Sequence, residues 1–251
     1  MDKQQAFLEL VKDVQQCRVC SDMLVTPHSS NSECLLNDDH GLNTDKPYVN
    51  LWNRWHGDLD ADIMVIGQDF GEWEDADTFA RHHTASPYAN PTNQRLYKLF
   101  RDVMEIDIDT SQTRLFFTNA ANCYRKKKTT GGMHIGWLPI CSHRYMARLI
   151  TIIRPKLIIV LGRAAFEALY CMDGLSVTCQ NPLEKVNNTF ADMIRHEYNS
   201  TVDGQSIPVF PVYHPGANSK RNRSEEEQKC DWKRIKEEYD KVKNHGKRDC
   251  S

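Results

Sequence analysis

The chain has 251 residues, 40% of them hydrophobic, with nine cysteines and a formal charge of −2. That length suits one α/β domain with a real core, and that charge gives no overall attraction to nucleic acid. No apolar run approaches the ~20 residues that cross a bilayer, the start Met1-Asp-Lys-Gln-Gln is too polar for a signal peptide, and an odd cysteine count without a leader implies reduced thiols in the cytoplasm rather than a disulfide framework.

Residues 3–16 read as a helix with Phe7, Leu8, Leu10, Val11 and Val14 on one side, ending near the Cys17-Arg-Val-Cys20 pair. Residues 21–60 are rich in Asn, Asp, Ser and His, with Trp52 and Trp55 scattered among them, and read as a long irregular insertion. From 62 the pattern becomes strand, loop, helix: a strand at 62–66, a loop to about 91, and a helix near 92–104 carrying Leu96, Leu99, Phe100 and Val103. A strand at 114–119 leads through a basic loop to a helix at about 141–153, and Lys156 to Leu161 is a buried strand feeding a helix from Arg163 to Tyr170. A polar, hairpin-like stretch follows from about 173 to 206. The last core strand leads to His214, and a charged helix over 224–243 precedes a frayed tail from Asn244. Strands alternating with helices predict a three-layer α/β/α sandwich around a central, mostly parallel, four-stranded sheet, with 62–220 as its core and the whole of 1–251 as one domain.

Three apolar runs each end in a polar cluster: Ile63-Met64-Val65-Ile66 before Gly67-Gln68-Asp69, Leu115-Phe116-Phe117 before Thr118-Asn119, and Ile207-Pro208-Val209-Phe210 before Tyr213-His214-Pro215. Ligands of open α/β sheets bind beyond the carboxyl ends of the strands, so Asp69, Asn119 and His214 are expected on one rim. Two basic runs border that rim: Arg125-Lys126-Lys127-Lys128 after Asn119, and Lys220-Arg221-Asn222-Arg223 after His214. Each alone reads as a solvated loop, whereas the two together suit a phosphate backbone. Cys17, Cys20, Cys123 and Cys141 have the means to close around one metal centre, and sulfur ligation suits zinc and an iron–sulfur cluster equally.

These motifs, in this order, resemble the uracil-DNA glycosylase superfamily and its iron–sulfur branch. Gly67-Gln68-Asp69-Phe70-Gly71-Glu72 is similar to the family's first motif, Phe117-Thr118-Asn119-Ala120-Ala121-Asn122-Cys123 to its base-reading strand, Leu161-Gly162-Arg163-Ala164-Ala165 to its strand-to-helix turn, and His214-Pro215-Gly216-Ala217 to its second catalytic motif. The resemblance implies a DNA glycosylase with Asp69 and His214 catalytic, Gln68, Tyr88 and Asn119 around the base, and Lys126, Lys127, Lys220, Arg221 and Arg223 on DNA. It also implies that Cys17, Cys20, Cys123 and Cys141 hold a structural 4Fe–4S cluster, in preference to zinc. The first motif is mixed, because an acidic residue at position 69 is unusual in the iron–sulfur branch, and Gly71 stands where a tyrosine elsewhere in the family excludes bulky C5 substituents.

Hydrolysis of an N-glycosidic bond requires a stabilised oxocarbenium-like sugar, a placed water and an acceptor for the charge on the departing base. Asp69 suits the first two needs, neutral His214 the third, and the Asn119 amide suits the edge of an extruded pyrimidine. The expected reaction is monofunctional release of uracil. The roomier Gly71 position also admits a larger modified pyrimidine, such as a glucosylated hydroxymethylcytosine excised from phage DNA in antiviral defence. A bifunctional lyase would need a pocket lysine, and the motifs offer only the loop residue Lys220. From another class comes a zinc-containing nucleic-acid-binding module without catalysis. A nucleotide cofactor is not expected, because neither GxGxxG nor GxxxxGK[ST] follows a strand. The expected partner is DNA, with no membrane, and the expected state is a monomer.

Overall fold

A computed structural model describes residues 2–17, 19, 34–35, 58–69, 91–108, 114–122, 124–125, 137–170, 176–179, 189–216 and 222–248. In chain order the elements are α1 (Lys3–Gln15), β1 (Cys34–Leu35), β2 (Ile63–Gly67), α2 (Pro91–Leu99, continued as a π-helical turn Phe100–Met104), β3 (Leu115–Asn119) and β4 (Tyr124–Arg125). Then come α3 (Trp137–Cys141, a π turn Ser142–Met146 and Ala147–Ile153), β5 (Leu157–Leu161), α4 (Arg163–Tyr170), β6 (Ser176–Cys179), α5 (Phe190–Met193), β7 (Tyr198–Val202), β8 (Gln205–Val212) and α6 (Glu225–Arg248).

Side-chain alternation along the strands builds three layers. Met64 and Ile66 of β2, Phe116 of β3, and Ile158 and Val160 of β5 face α1, α3 and α4. Their neighbours Ile63, Val65, Leu115, Phe117, Leu157 and Ile159 face α2 and α6 on the other side. Strands buried on both faces need apolar residues at every position, and β2 and β5 have them. On one side Phe7 of α1 meets Phe116 edge-on at 6.0 Å. On the other, Trp232 of α6 stands edge-on to Phe100 at 5.0 Å and is 1% exposed. Helix α6 starts with a capping box: the Ser224 Oγ accepts from the Glu227 N–H at 3.2 Å, and the Ser224 N–H donates to Glu227 Oε2 at 2.8 Å.

The sheet order is β3-β2-β5-β8-β7-β6. The first four strands are parallel, as expected, whereas β7 and β6 are antiparallel. The sheet is therefore six-stranded rather than four-stranded, because part of the polar 173–206 stretch pairs along the free edge of β8, with Asp203-Gly204 in left-handed conformations at the β7–β8 turn. Helix α3 begins at Trp137, four residues before the expected start, since Pro139 lies in its first turn where a missing N–H costs no helical bond. Helix α6 continues through Arg248, beyond the expected fraying point at Asn244. Residues 34–35, within the stretch expected to be irregular, pair antiparallel with Tyr124–Arg125 and so stitch that segment to the start of the basic loop. Among the described residues no helix is long and apolar enough to cross a membrane.

Because Trp232 joins α6 to α2 and the sheet, Trp232→Ala should cost about 3–5 kcal/mol in a urea melt. A loss below about 1 kcal/mol would mean that α6 does not hold that face of the core.

Candidate active site

The rim is made by backbone pairing that runs past the strands. β2 and β3 lie in parallel register from Ile63↔Leu115 to Gly67↔Asn119. The Ala120 N–H then donates to the Gly67 carbonyl at 2.8 Å, and the Ala121 N–H to the Gln68 carbonyl at 2.9 Å. Gln68 and Asp69 are thus held against the turn that follows Asn119. The Gln68 side-chain amide donates to Asp69 Oδ2 at 3.0 Å, turning the carboxylate.

Asn119 shares its face with Leu115 and Phe117, the side covered by α2, and is 1% exposed. Its Nδ2 has no hydrogen-bond partner among the described residues. A buried donor without a partner costs about 1–3 kcal/mol.

His214 follows β8, next to the β5–α4 turn, where the Gly162 N–H donates to the Val212 carbonyl at 2.7 Å. Gly162 has φ +91°, and a Cβ there would meet the His214 Cβ at 3.4 Å. The imidazole Nδ1 accepts from the Gly216 N–H at 3.1 Å. That bond requires a lone pair on Nδ1, so the ring proton of the neutral form lies on Nε2. A Cβ at Gly216 would stand 2.9 Å from Nδ1, so only glycine lets the peptide approach the ring this closely. The outer edge of His214 reaches solvent, yet protein surrounds the rest of the ring, and this burial pushes its pKa below the ordinary value. The nearby Asp69 carboxylate pulls the other way and is outweighed. His214 is therefore neutral at pH 7 with a donor at Nε2.

A second cluster of chemistry lies on the α1/α3 side. Cys141, at the end of the first segment of α3, accepts from the Asn122 N–H at 3.3 Å and from the Asn122 side-chain amide at 3.9 Å. Cys17 packs against the same core, and one turn along α3 from Cys141 the Tyr145 hydroxyl is in hydrogen-bonding contact with it. N–H donors aimed at sulfur favour thiolate, the ligating form, and the two sulfurs belong to one side of the sheet, so the residues present fit a thiolate-held metal. Cys20 and Cys123 lie outside the described residues, and among the described residues no three ligating groups gather.

Tyr88, Lys126, Lys127, Lys220 and Arg221 also lie outside the described residues. Arg223 is described and differs from expectation. Its guanidinium forks onto Asp231, with Nε to Oδ2 at 3.0 Å and Nη2 to Oδ1 at 2.7 Å, and also reaches Glu227 at 3.3 Å. It is committed to clamping the start of α6 rather than open to phosphates, because acidic residues four and eight positions on share its helix face. Sequence reasoning missed Arg95 of α2, which donates from Nη1 to the Pro215 carbonyl at 3.3 Å and the Gly216 carbonyl at 3.0 Å. A cation bordering the apolar stripe of Leu96 and Leu99 was the available signal.

Fold and rim together define an α/β/α protein that presents a carboxylate, an amide donor without a partner among the described residues, and a neutral imidazole beyond the ends of parallel strands. The chain belongs to the uracil DNA glycosylase superfamily, whose family model matches residues 55–237. It is similar to the type-4 uracil-DNA glycosylase of Saccharolobus solfataricus, 28% identical over 161 residues, or 64% of this chain and 63% of that protein. It is also similar to the type-4 uracil-DNA glycosylase of Sulfurisphaera tokodaii, 25% identical over 160 residues, or 62% of this chain and 60% of that one. The chain thus covers less than two thirds of either relative's length.

Proposed function

We propose that the protein is a monofunctional DNA glycosylase that releases uracil. The observation that carries this reading is the buried Nδ2 of Asn119, without a partner among the described residues, on the rim shared by Asp69 and His214. The open atom is a donor. It complements the O4 carbonyl of uracil and opposes the amino group that any cytosine derivative carries there, so it favours uracil over a glucosylated hydroxymethylcytosine.

In this mechanism the extruded base lies against Asn119, with Tyr88 as its stacking surface. As the C1′–N1 bond breaks, positive charge grows on the sugar and negative charge on the base. Asp69, turned by Gln68, faces the sugar cation and orients the water, accepting its proton as the oxygen bonds to C1′, and that proton balances the one the departing uracil anion takes up. His214 donates from Nε2 to O2 of the departing uracil anion, and its neutral state means that it stabilises this charge without first losing a proton. Lys126, Lys127, Lys220 and Arg221 supply phosphate contacts.

Cys17, Cys20, Cys123 and Cys141 would hold a 4Fe–4S cluster, which when bound would tie α1 to the turn after Asn119. The N–H donors on the Cys141 sulfur support a thiolate there. Cys141→Ser should therefore remove the brown absorbance and bound iron and lower the melting temperature. Zinc in a colourless wild-type protein would overturn the cluster assignment.

Base release is measured on single- and double-stranded DNA bearing uracil, 5-hydroxymethylcytosine or its glucosylated form. Uracil alone should be released. Asp69→Asn should slow this by about 10²–10⁴-fold and His214→Ala by about 10²–10³-fold. Asn119→Asp, which replaces the donor with acceptors, should lose the preference for uracil. Release of the bulky base by wild type would overturn the substrate, and no release from any DNA by folded protein would overturn the activity.

The pH dependence has a defined sign. Neutral His214 is the active form and its pKa is lowered by burial, so activity should hold as pH falls through about 6.5 and drop only below it. Stability should move the other way over the same window. Below about 6.5 the unfolded imidazole takes up a proton that the folded one resists, so His214 costs stability progressively until the folded ring also titrates. His214→Gln should remove this loss, seen as a smaller drop in melting temperature between pH 7 and pH 5. A half-maximal activity point above 6.5 assigned to His214 would refute the neutral-donor role.

A further inference from the structure

We infer that Arg95 is the positioning residue that keeps the donor of His214 on Nε2. The inference rests on the glycosylase reading for its effect on rate, but not for its effect on the ring.

Three bonds form a relay. The Arg95 Nη1 donates to the Pro215 carbonyl at 3.3 Å and to the Gly216 carbonyl at 3.0 Å, gripping the two peptide oxygens that follow the imidazole. The Gly216 N–H, between those two carbonyls, donates to His214 Nδ1 at 3.1 Å. These residues leave the sheet with Val212, so no strand ladder holds the Gly216 peptide in place. The grip comes from across the rim, from a helix whose own position is set by Leu96 and Leu99 in the core and by Thr92, whose Oγ1 lies 3.4 Å from where a Gly216 Cβ would be. A charged donor bridging two carbonyls is stronger than a neutral one and resists rotation of the peptide between them.

The chemical consequence concerns which nitrogen carries the proton. If the Gly216 N–H turns away, Nδ1 loses the one donor it has among the described residues, and the two neutral tautomers become close in energy. The Nδ1–H form presents a lone pair, not a donor, at Nε2. A base anion would then meet a repulsive atom where it needs a hydrogen bond. Arg95 touches neither substrate nor water in this scheme, and acts only through the loop.

The test compares wild type, Arg95→Met and Arg95→Lys in full-length protein. Histidine ¹⁵N spectra, with the His214 signals identified by their loss in His214→Gln, report the tautomer without any substrate. Wild type should show Nε2–H alone, Arg95→Met a mixture of tautomers, and Arg95→Lys a ring closer to wild type. In uracil release, Arg95→Met should lower kcat by about 10- to 100-fold with little change in KM, and Arg95→Lys should recover part of it. A merely structural role would lower the melting temperature and leave tautomer and kcat of the folded fraction unchanged, which would overturn the inference. If Arg95→Met fails to fold, a wild-type tautomer and kcat in Arg95→Lys combined with loss of both in Arg95→Gln still supports it, and wild-type values in both overturn it. Absence of uracil release by wild type would refute the glycosylase reading alone, because the ¹⁵N spectra decide the role of Arg95 independently.

Discussion

The in-register parallel ladder between β2 and β3 is the constraint on which the rest of the rim depends. It ends with Gly67 opposite Asn119, and two further backbone bonds, from Ala120 to Gly67 and from Ala121 to Gln68, carry the pairing past the strands. Those bonds use the backbone groups of the turn internally. The side chains of Gln68 and Asp69 are left partly exposed at the edge of a rigid frame, and Asn119 is held buried beside them on the α2 face. A one-residue slip of β3 would put Thr118 on the α2 face and bury Asn119 among α1 and α3. Apolar residues on both faces of each strand give the ladder its strength. The same rigidity sustains an unpaired amide at a strand end, since a looser frame would relax until Nδ2 found a carbonyl.

The turn after Asn119 serves two sites at once. Asn122 donates to the Cys141 sulfur, and the Ser142 Oγ donates to the Ala120 carbonyl at 3.1 Å. Both contacts fall within three residues of Asn119. The π turn that starts at Ser142 widens the helix where Cys141 and Ser142 meet this segment, letting one side chain reach backbone while its neighbour presents sulfur. The turn thus couples the Cys141 side of the sheet mechanically to Asn119. A thiolate-held metal here would work as a buckle across α1, α3 and β3, and its removal would loosen the Asn119 amide from behind.

Much of this was legible in the sequence, for a physical reason. Strands buried on both faces are continuous apolar runs, and the places where Ile66, Phe117 and Val212 give way to polar residues mark the rim directly. Asp69, Asn119 and His214 could be read because each follows such a run. The antiparallel edge strands were harder to read, because β7 is half-exposed and its sequence Tyr-Asn-Ser-Thr-Val offers no apolar run. Arg95 and Arg223 could not be read from charge alone. Each is a cation in a polar neighbourhood of the sequence, and its role depends on which oxygens the fold brings to it: two loop carbonyls for Arg95, and the Asp231 carboxylate, one helix turn past Glu227, for Arg223.

The electrostatics of the rim favour one division of labour. Asp69 and His214 are close enough for the carboxylate to raise the affinity of the imidazole for a proton, yet burial outweighs that pull and keeps the ring neutral. Had the pair become an ion pair, the imidazolium would have cancelled the negative charge that a sugar cation needs. With a neutral ring, the imidazole offers a dipole, not a charge, beside the Asp69 carboxylate. In the proposed mechanism, charge separation during cleavage runs in the same sense, cation toward Asp69 and anion toward the Nε2–H. In the proposed mechanism, the desolvation that lowers the basicity of His214 also keeps the imidazole from cancelling the charge of Asp69. Gly216 contributes to that desolvation, because it lets backbone crowd the ring at Nδ1, while Gly162 lets the β5–α4 turn approach the His214 Cβ.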